Sequence, residues 1–408
     1  MNYREKINLV KSAILFADEN SSLQDVIDSE KNAFEGIRML YSTDAAGAEL
    51  QVNALHQDIF SGLFSKSKIL AYSSEIAAEM QTRESLICYK RRVLFDTNLL
   101  SEIPRLVKGE DFKDVKIKEK VERILDVVIN EYCGGFDYSF PMFENLREYT
   151  SVNNPYPIKK VAAALYFDDK SRGKEIQNVQ SDDILEPYIQ ESESRWKAMR
   201  ANEHAWDTID RRDLVYVVML KTYYLCWTSS RITIEDGLRQ LVDFCLDKLG
   251  VLPLKELYFA WKVIIGFSIN YFAPVFDEKP LKSPKKNSIN RISALAWDLF
   301  IFRYTEFLLT EEKGTSFYVP TFTTLDQGLL ATVNSCKVKA MISFPEKKFV
   351  ETIFDDELHF QQCLNAAMTK KQQNILSDPN RSLKGNKKSR QSVSLSIFKL
   401  EHLIGQLL

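Results

Sequence analysis

The sequence predicts an α/β core with a mainly parallel sheet, embedded in a predominantly helical chain. Two apolar runs rich in β-forming residues, at 93–95 and in FYVPTFTT (317–324), each end in polar residues that precede a helical pattern. A buried strand followed directly by a helix is the unit from which parallel sheets are built. Elsewhere apolar residues recur mainly at spacings of three and four, which is typical of one buried helical face. The expected core therefore has three layers, with the sheet between helices.

The N-terminal region, residues 1–90, is expected to be helical and without a catalytic pattern. Its apolar residues Ile27, Phe34, Ile37 and Leu40 recur at helical spacings. Charged residues interrupt the first twenty positions, so a secretory signal is not expected. Three helices are predicted here: Tyr3 to Ala17, Leu23 to Tyr41, and Ala48 to Leu63.

The first part of the core, residues 91–150, opens with RRVLFDTNLL and a strand that stops at Asp96. Helices are predicted from Leu99 to Val107 and from Val115 to Tyr132, followed by a strand signal in the alternating aromatics of FDYSF. Glu144 and Glu148 come next, one helical turn apart on the same face. Glu144 is favoured as a functional residue because it comes early in its helix, Glu148 is the substitute, and a solvated surface pair is the alternative.

Residues 151–284 are predicted to be a helical insertion. Aromatic residues at helical spacings, such as Tyr216, Tyr223 and Trp261, favour core packing over a stacking platform for bases. The most apolar stretch, Leu257 to Phe272, contains Lys262 and is read as a buried helix rather than a membrane span. The predicted helices are Ile158 to Phe167, Asp183 to Trp206, Asp213 to Trp227, Ile234 to Leu249, and Leu254 to Phe272.

The second part of the core, residues 285–346, comes after a basic linker. That linker, KPLKSPKKNSINR, contains no acid, and its cations are Lys279, Lys282, Lys285, Lys286 and Arg291. These cations are expected either to contact phosphates without reading sequence or to be solvated. Ala340 to Phe344 is predicted to be a closing strand. Residues 347–408 are expected to form a C-terminal helical segment with a basic loop before a helix from Val393 to Leu408.

Three carboxylates stand at comparable places in these patterns. Asp96 ends one strand, Asp326 comes after another in TTLDQGLL, and Asp298 lies in the apolar helical run AWDLFIF. An Asp at a strand end can cap the next helix. It can also face the crevice at the carboxyl ends of parallel strands, where ligands bind. Asp96-Thr97-Asn98 and Thr324-Leu325-Asp326 repeat the same strand, polar residue, helix order.

This set of motifs resembles the PIN-like nucleases. Their pattern is Asp-(Thr/Ser)-Asn after the first strand, a Glu in a middle helix, an Asp in a later helix, and Thr-x-Asp after a later strand. The corresponding positions are Asp96, Glu144, Asp298 and Asp326. The resemblance covers roughly 91–150 and 285–346. It departs from the family pattern in its late first motif, in the long insertion, and in the TEEKGTS loop, which lengthens the spacing between Asp298 and Asp326.

The resemblance implies that Asp96, Glu144, Asp298 and Asp326 are the catalytic and metal-binding residues. Four converging carboxylates require a counter-charge, and Mg²⁺ or Mn²⁺ are the cations that oxygen ligands suit. Asn98 is expected to orient Asp96 or a metal-bound water, with Thr97 beside it, and Thr324 is expected to hold Asp326 by a hydrogen bond. The predicted nucleic-acid contacts are Lys282, Lys285, Lys286 and Arg291.

Composition limits the kinds of metal site, cross-link and nucleic-acid contact that the chain can have. The six cysteines include no C-x-x-C pair, which argues against structural zinc and a disulfide scaffold. A formal net charge of −2 means that binding to a polyanion must use a local patch.

The function predicted is a metal-dependent phosphodiesterase acting on nucleic acid in the cytoplasm, with RNA favoured because of the family resemblance. Large helical additions around such a core suit a regulated toxin or host-defence effector, and they offer surfaces for a protein partner or a second copy. The alternative is a catalytically silent helical interaction module that serves as a subunit of a larger assembly.

Overall fold

A computed structural model gives the fold. The residues it describes are 3–18, 21–45, 50–51, 59–66, 68–73, 88–112, 114–131, 135–148, 155–173, 184–270, 279–309, 316–344, 349–377 and 388–408. Helices hold most of the described residues. In chain order they are α1 Tyr3–Phe16, α2 Leu23–Ser29, α3 Thr97–Val107, α4 Val115–Asn130, α5 Ser139–Glu148, α6 Tyr156–Ser171, α7 Glu186–Ala201, α8 Glu203–Thr228, α9 Ile234–Phe244, α10 Leu254–Ile269, α11 Lys279–Lys282, α12 Ser288–Leu309, α13 Gln327–Ser335, α14 Glu357–Ala367, α15 Lys370–Ser377 and α16 Lys388–Gly405.

Short 3₁₀ and π segments, Lys31–Ala33 and Cys245–Leu249, come after α2 and α9. The strands form two separate sheets. They are β1 Arg38–Thr43, β2 Leu50–Gln51, β3 Ser61–Gly62, β4 Lys68–Ser73, β5 Cys88–Phe95, β6 Phe136–Asp137, β7 Ser316–Thr323, β8 Val338–Phe344 and β9 Phe349–Phe354.

The predicted single, mainly parallel sheet of a PIN-like three-layer core is wrong. A five-stranded sheet in the order β2-β4-β1-β8-β9 is antiparallel at every described pairing. A second, four-stranded sheet in the order β3-β7-β5-β6 is mixed. In it β5 runs parallel to β6 and β7, while β3 is antiparallel to β7. The sequence could not show this division because strand pairing is a non-local property that the apolar pattern of one strand does not encode.

The helical interpretation of residues 1–90 is correct for α1 and wrong for much of the chain between α2 and β5. The predicted helix from Leu23 to Tyr41 ends at Ser29, Lys31–Ala33 form a 3₁₀ segment, and its last four residues belong to β1. The predicted helix from Ala48 to Leu63 contains the strand residues of β2 and β3, while 52–58 lie outside the described residues. Every residue of β1 is buried, and a strand buried on both faces shows no alternation that would separate it from a buried helix.

The other predicted elements are largely confirmed among the described residues. Strands β5, β6 and β7 and helices α3 to α6, α9 and α10 lie close to their predicted positions. The predicted boundary between the helices Asp183–Trp206 and Asp213–Trp227 is wrong, since the break lies at Asn202, between α7 and α8. The predicted closing strand is β8, although it joins the antiparallel sheet. The basic linker contains the short helix α11. The predicted basic loop, Thr369 to Ser392, is wrong for its described ends, since 370–377 form α15 and 388–392 begin α16, while 378–387 lie outside the described residues. The predicted C-terminal helix is α16.

Strand β5 lies between two helical layers. Val93 and Phe95 pack with α3 to α7, whereas Leu94 belongs to the cluster formed by α8, α9, α10 and α12. Alternate residues of a strand point to opposite faces, so a strand covered on both faces is apolar throughout. This burial explains the uninterrupted Val93-Leu94-Phe95 run. A third cluster joins α1 and α2 to the antiparallel sheet.

The aromatic residues of the helical insertion are core residues, as the favoured interpretation predicted. Tyr216, Tyr223, Phe259 and Trp261 are all buried. Helix α10 is likewise a buried helix for most of its length. Within the described ranges, no helix is both long enough and apolar enough to cross a bilayer.

Replacement of Phe95 tests how strongly the fold depends on β5. Phe95 is fully buried and stacks on Phe136 with ring centroids 4.9 Å apart. We expect Phe95→Ala to lower the free energy of unfolding by about 3–5 kcal/mol, as large-to-small core substitutions do. The matched control is Phe398→Ala on α16, whose side chain is 71% exposed. Urea unfolding should show little change in the control, and equal losses in both variants would contradict a central role for β5.

Candidate functional site

Asp96 both caps a helix and faces the other acidic residues. It is the N-cap of α3, where its Oδ1 accepts a hydrogen bond from the backbone N–H of Leu99 at 2.7 Å. Its Oδ2 accepts a hydrogen bond from the Thr324 hydroxyl. The backbone N–H of Asp96 donates to the carbonyl of Thr323 at 3.4 Å. The sequence allowed Asp96 to be either a helix cap or a residue of the acidic site. Both interpretations hold, because one carboxylate oxygen caps α3 and the other accepts from Thr324.

Asp326 occupies the equivalent position after β7. It is the N-cap of α13, where its Oδ1 accepts from the N–H of Gly328 at 2.6 Å. Its own N–H donates to the Thr324 hydroxyl at 2.8 Å. The Thr324 hydroxyl thus accepts from the backbone N–H of Asp326 and donates to the carboxylate of Asp96. The amide of Asn98, which was expected to orient Asp96, donates instead to Asp326 Oδ2 at 3.4 Å.

Glu144 reaches the same place from α5. Its side chain is half-buried and accepts a hydrogen bond from the Thr97 hydroxyl, whereas Glu148 is exposed. The sequence left a choice between these two glutamates and a surface pair. The structure assigns Glu144 to the acidic cluster. Thr97 comes directly after Asp96, so α3 binds Glu144 through the residue next to its own cap.

Asp298 completes the acidic cluster, which we define as Asp96, Glu144, Asp298 and Asp326. Asp298 is half-buried on α12. Its pKa is raised well above its ordinary value by desolvation and then by the charges of the other three members, while Arg291 opposes the rise. The sequence prediction that these four residues come together is thus supported by their mutual electrostatic effects.

Burial is the main reason that Asp96 and Glu144, like Asp298, resist ionisation. Desolvation raises the pKa of Asp96 to about 7, against the opposing effect of its hydrogen bonds from Thr324 and Leu99, with further increases from Asp326 and Glu144. Desolvation also raises the pKa of Glu144, which the Thr97 hydroxyl partly offsets. Like charges gathered in a low-dielectric site are unfavourable, and such shifts are common at functional sites.

Lys160 is a buried cation near the cluster that the sequence interpretation missed. Its Nζ donates to Asn145 Oδ1 at 3.1 Å and lies 4.3 Å from the ring centroid of Tyr156. Burial lowers its pKa to about 8, although Glu144, Glu148 and Asp96 favour its charged form. A usable sequence signal existed, because Lys160 is in helical phase with the apolar positions 164 and 167 of α6.

The predicted nucleic-acid contacts differ in their relation to the cluster. Lys282, Lys285 and Lys286 are exposed around the start of α12. Arg291 is half-buried about two helical turns before Asp298 and lowers its pKa. Of these four basic residues, Arg291 is the one whose charge has a main effect on the pKa of Asp298. A further cation, Lys120, donates from Nζ to the Thr324 carbonyl at 3.1 Å.

The donor types in the acidic cluster suit Mg²⁺ or Mn²⁺, since all are carboxylate oxygens. Their positions do not form a ready coordination site. Within the described part of the chain, no group of three or more His, Cys, Asp or Glu side chains is placed to hold a metal ion. Several of the carboxylate oxygens are instead occupied by helix caps and hydroxyl donors.

Comparison of the chain with protein-family models, curated proteins and solved structures gives no significant match. The candidate site therefore rests on the residues and their geometry.

Replacement of Asp96 tests the electrostatic cost of the cluster. A carboxyl with a raised pKa binds its proton more tightly in the folded chain, so the free energy of unfolding falls as pH rises from about 4 to about 7. We expect Asp96→Asn to remove up to about 4 kcal/mol of this decline. Asparagine keeps the helix cap and removes the charge.

The measurement is urea unfolding of the parent and the variant across this pH range. Asp247→Asn, at an exposed carboxylate in the π segment, is the control and should retain the parental pH dependence. If Asp96→Asn also retains the parental pH dependence, the pKa of Asp96 is not raised by its surroundings.

Proposed function

We propose that this chain is a divalent-cation-dependent phosphodiesterase that cleaves nucleic acid, with RNA as the favoured substrate. The observation that carries the proposal is the gathering of Asp96, Glu144, Asp298 and Asp326 at one place. They come from four different elements; Asp96 lies directly after β5 and Asp326 three residues after β7, the parallel neighbour of β5. Natural proteins rarely collect buried like charges without a functional reason.

The cluster matches the needs of phosphoryl chemistry in its donor set. These four carboxylates are the residues that would hold Mg²⁺ or Mn²⁺, which when bound would supply positive charge to a phosphodiester and acidify a water molecule. The described arrangement holds its carboxylates in protein hydrogen bonds, so binding of a cation would compete with those bonds.

The chain's own residues hold the cluster in position. The Leu99 N–H and the Thr324 hydroxyl fix the two oxygens of Asp96. The Thr97 hydroxyl fixes Glu144. Lys160 lies behind the cluster as a counter-charge, and its lowered pKa of about 8 makes it able to exchange a proton near neutral pH. Asn98 is exposed and bonded to Asp326, so its amide lies where an incoming phosphate would approach.

The preference for RNA rests on the resemblance of the acidic motifs to those of PIN-like nucleases. The exposed Lys282, Lys285 and Lys286 support it as phosphate contacts that would position a backbone without reading bases. Their exposure also suits a solvated linker, so the basic segment needs its own test.

A second candidate is a catalytically silent interaction module. The observation that favours it is the face of α16 that carries exposed Leu395 and Phe398. Apolar side chains in a row on a surface helix are typical of contacts with another protein. The absence of a preformed metal group in the described residues is compatible with this candidate as well.

The nuclease proposal predicts metal-dependent cleavage of single-stranded RNA. We expect the purified protein to cut RNA with Mn²⁺ or Mg²⁺ and to stop when a chelator is added. Asp96→Asn and Asp326→Asn should each lower the cleavage rate by at least about 100-fold. Loss of a metal ligand should cost more than loss of a residue that only supports a ligand, which costs about 10- to 100-fold. The readout is gel analysis of a labelled RNA, with melting curves to show that each variant is folded.

Asp247→Asn serves again as the matched control and should cut at the parental rate. Parental rates in both Asp96→Asn and Asp326→Asn would remove the acidic cluster from the reaction and leave the interaction module as the better function.

The basic segment is tested by a double replacement. Lys285→Gln with Lys286→Gln should weaken RNA binding and reduce the slope of log affinity against log salt by about 1 to 2, since up to two phosphate contacts are lost. The control is Lys370→Gln with Lys371→Gln, an exposed lysine pair at the start of α15. Filter binding at several salt concentrations measures both. Equal slopes in the two double variants would assign the segment to a solvated surface.

A further inference from the structure

An open cavity of about 480 Å³ is lined on α5 by Ser139, Met142 and Phe143. Its walls come from α5, α7, the start of α8, α12 and the junction of β5 with β6. None of the four clustered carboxylates lines it. Its volume lies in the range of small-molecule sites, about 300–1,000 Å³.

Two guanidinium groups line this cavity and are half-exposed. Arg92 donates from Nε to the Phe136 carbonyl at 3.3 Å, and its Nη2 lies 3.1 Å from Asp137 Oδ2 in a salt bridge. Arg195 uses Nε and Nη2 on Glu191 and Nη1 on the Tyr138 hydroxyl at 2.6 Å. A guanidinium has five N–H donors, so each arginine keeps donors for a ligand. Two guanidinium groups together favour a phosphate.

The negative charge in the wall is already compensated. Asp137 is the one carboxylate among the lining residues and is 2% exposed. It accepts from the Ser139 N–H at 2.6 Å and from the Tyr304 hydroxyl at 3.3 Å, in addition to its contact with Arg92. Arg92 is paired with Asp137 and Arg195 with Glu191, so the cavity presents guanidinium N–H donors to a ligand without a net positive charge, while Asp137 holds Arg92 and Tyr304 in place.

The rest of the wall is largely aromatic and aliphatic. Tyr138, Phe143, Trp196, Tyr304 and Phe307 contribute rings. Trp196 is buried, and its indole N–H has no hydrogen-bond partner among the described residues. Aromatic walls stack on planar rings, each base stack contributing about 1–3 kcal/mol in nucleic-acid sites. An apolar ring surface next to two guanidinium groups suits a ligand that joins a planar ring to an anion.

We infer that this cavity binds a nucleoside 5′-monophosphate, with the base against the aromatic wall and the phosphate on Arg92 and Arg195. The inference goes beyond the phosphodiesterase proposal and does not depend on it, because the two sites share no side chain.

The test is titration of the full chain with AMP and UMP in the presence of a chelator, followed by calorimetry. The chelator prevents a metal in the acidic cluster from binding the phosphate. We expect saturable binding of at least one nucleotide at one site. Adenosine, which lacks the phosphate, and ribose 5-phosphate, which lacks the base, should each bind at least about tenfold more weakly, since each loses one half of the contacts. Failure of both nucleotides to bind, or equal binding of ribose 5-phosphate, would overturn the inference.

Arg195→Gln locates the binding. It should weaken nucleotide affinity at least about tenfold through loss of charge-assisted hydrogen bonds. The control is Arg239→Gln. Arg195 and Arg239 are each paired with a glutamate four residues earlier on their helices, and their side chains are 49% and 44% exposed. Equal affinities in these two variants would place the nucleotide elsewhere and overturn the inference.

Ala198→Trp provides a second variant that keeps every charge. Ala198 is exposed on α7 and lines the cavity, so a large ring there should block entry and reduce affinity at least about tenfold. Asp96→Asn should bind the nucleotide as the parent does. Loss of binding in Asp96→Asn together with unchanged binding in Ala198→Trp would assign the nucleotide to the acidic cluster and would overturn the cavity.

Discussion

The parallel pairing of β5 with β7 is the constraint on which the rest of the site depends. All eight residues of β5 pair in register with β7, from Cys88 with Ser316 to Phe95 with Thr323. This register ends both strands at the same level, so Asp96 and Thr324 face each other and share a hydrogen bond. A shift of one residue would turn every side chain of β5 to the opposite face and separate the two caps. The long helical insertion between the strands is tolerated because this pairing fixes their ends.

The same desolvation acts in opposite directions on the charged groups of the site. It raises the pKa of Asp96 and Asp298 and lowers that of Lys160. Each shift favours the neutral form of its group, so protonation of the acids and deprotonation of the lysine are alternative ways to reduce buried charge. With the pKa of Asp96 near 7 and that of Lys160 near 8, the charge of the site changes within the neutral range.

The sequence was informative where structure is locally determined. The sequence predicted the strand that ends before Asp96, the helix that follows it and the Thr-x-Asp turn. Each of these depends on residues close together in the chain: a short apolar run, a cap residue or a helical apolar stripe. The partition of strands into two sheets was not, since β1 pairs with β8 about three hundred positions away. Glu144 and Glu148 share a helical face, and the structure distinguishes them by the burial of Glu144 and its hydrogen bond from Thr97. Lys160 was missed because its helical phase with the apolar positions 164 and 167 was not used, although that phase places it on the buried face of α6.

The acidic cluster and the cavity are separate sites with common supports. Helix α5 carries Glu144 toward the cluster and Phe143 toward the cavity. Helix α12 carries Asp298 and, less than two turns later, Tyr304, whose hydroxyl donates to Asp137 in the cavity wall. Helices move largely as rigid bodies because their packed side chains resist deformation. The two sites are therefore built on the same two helices although they share no side chain, and α5 and α12 fix the position of both.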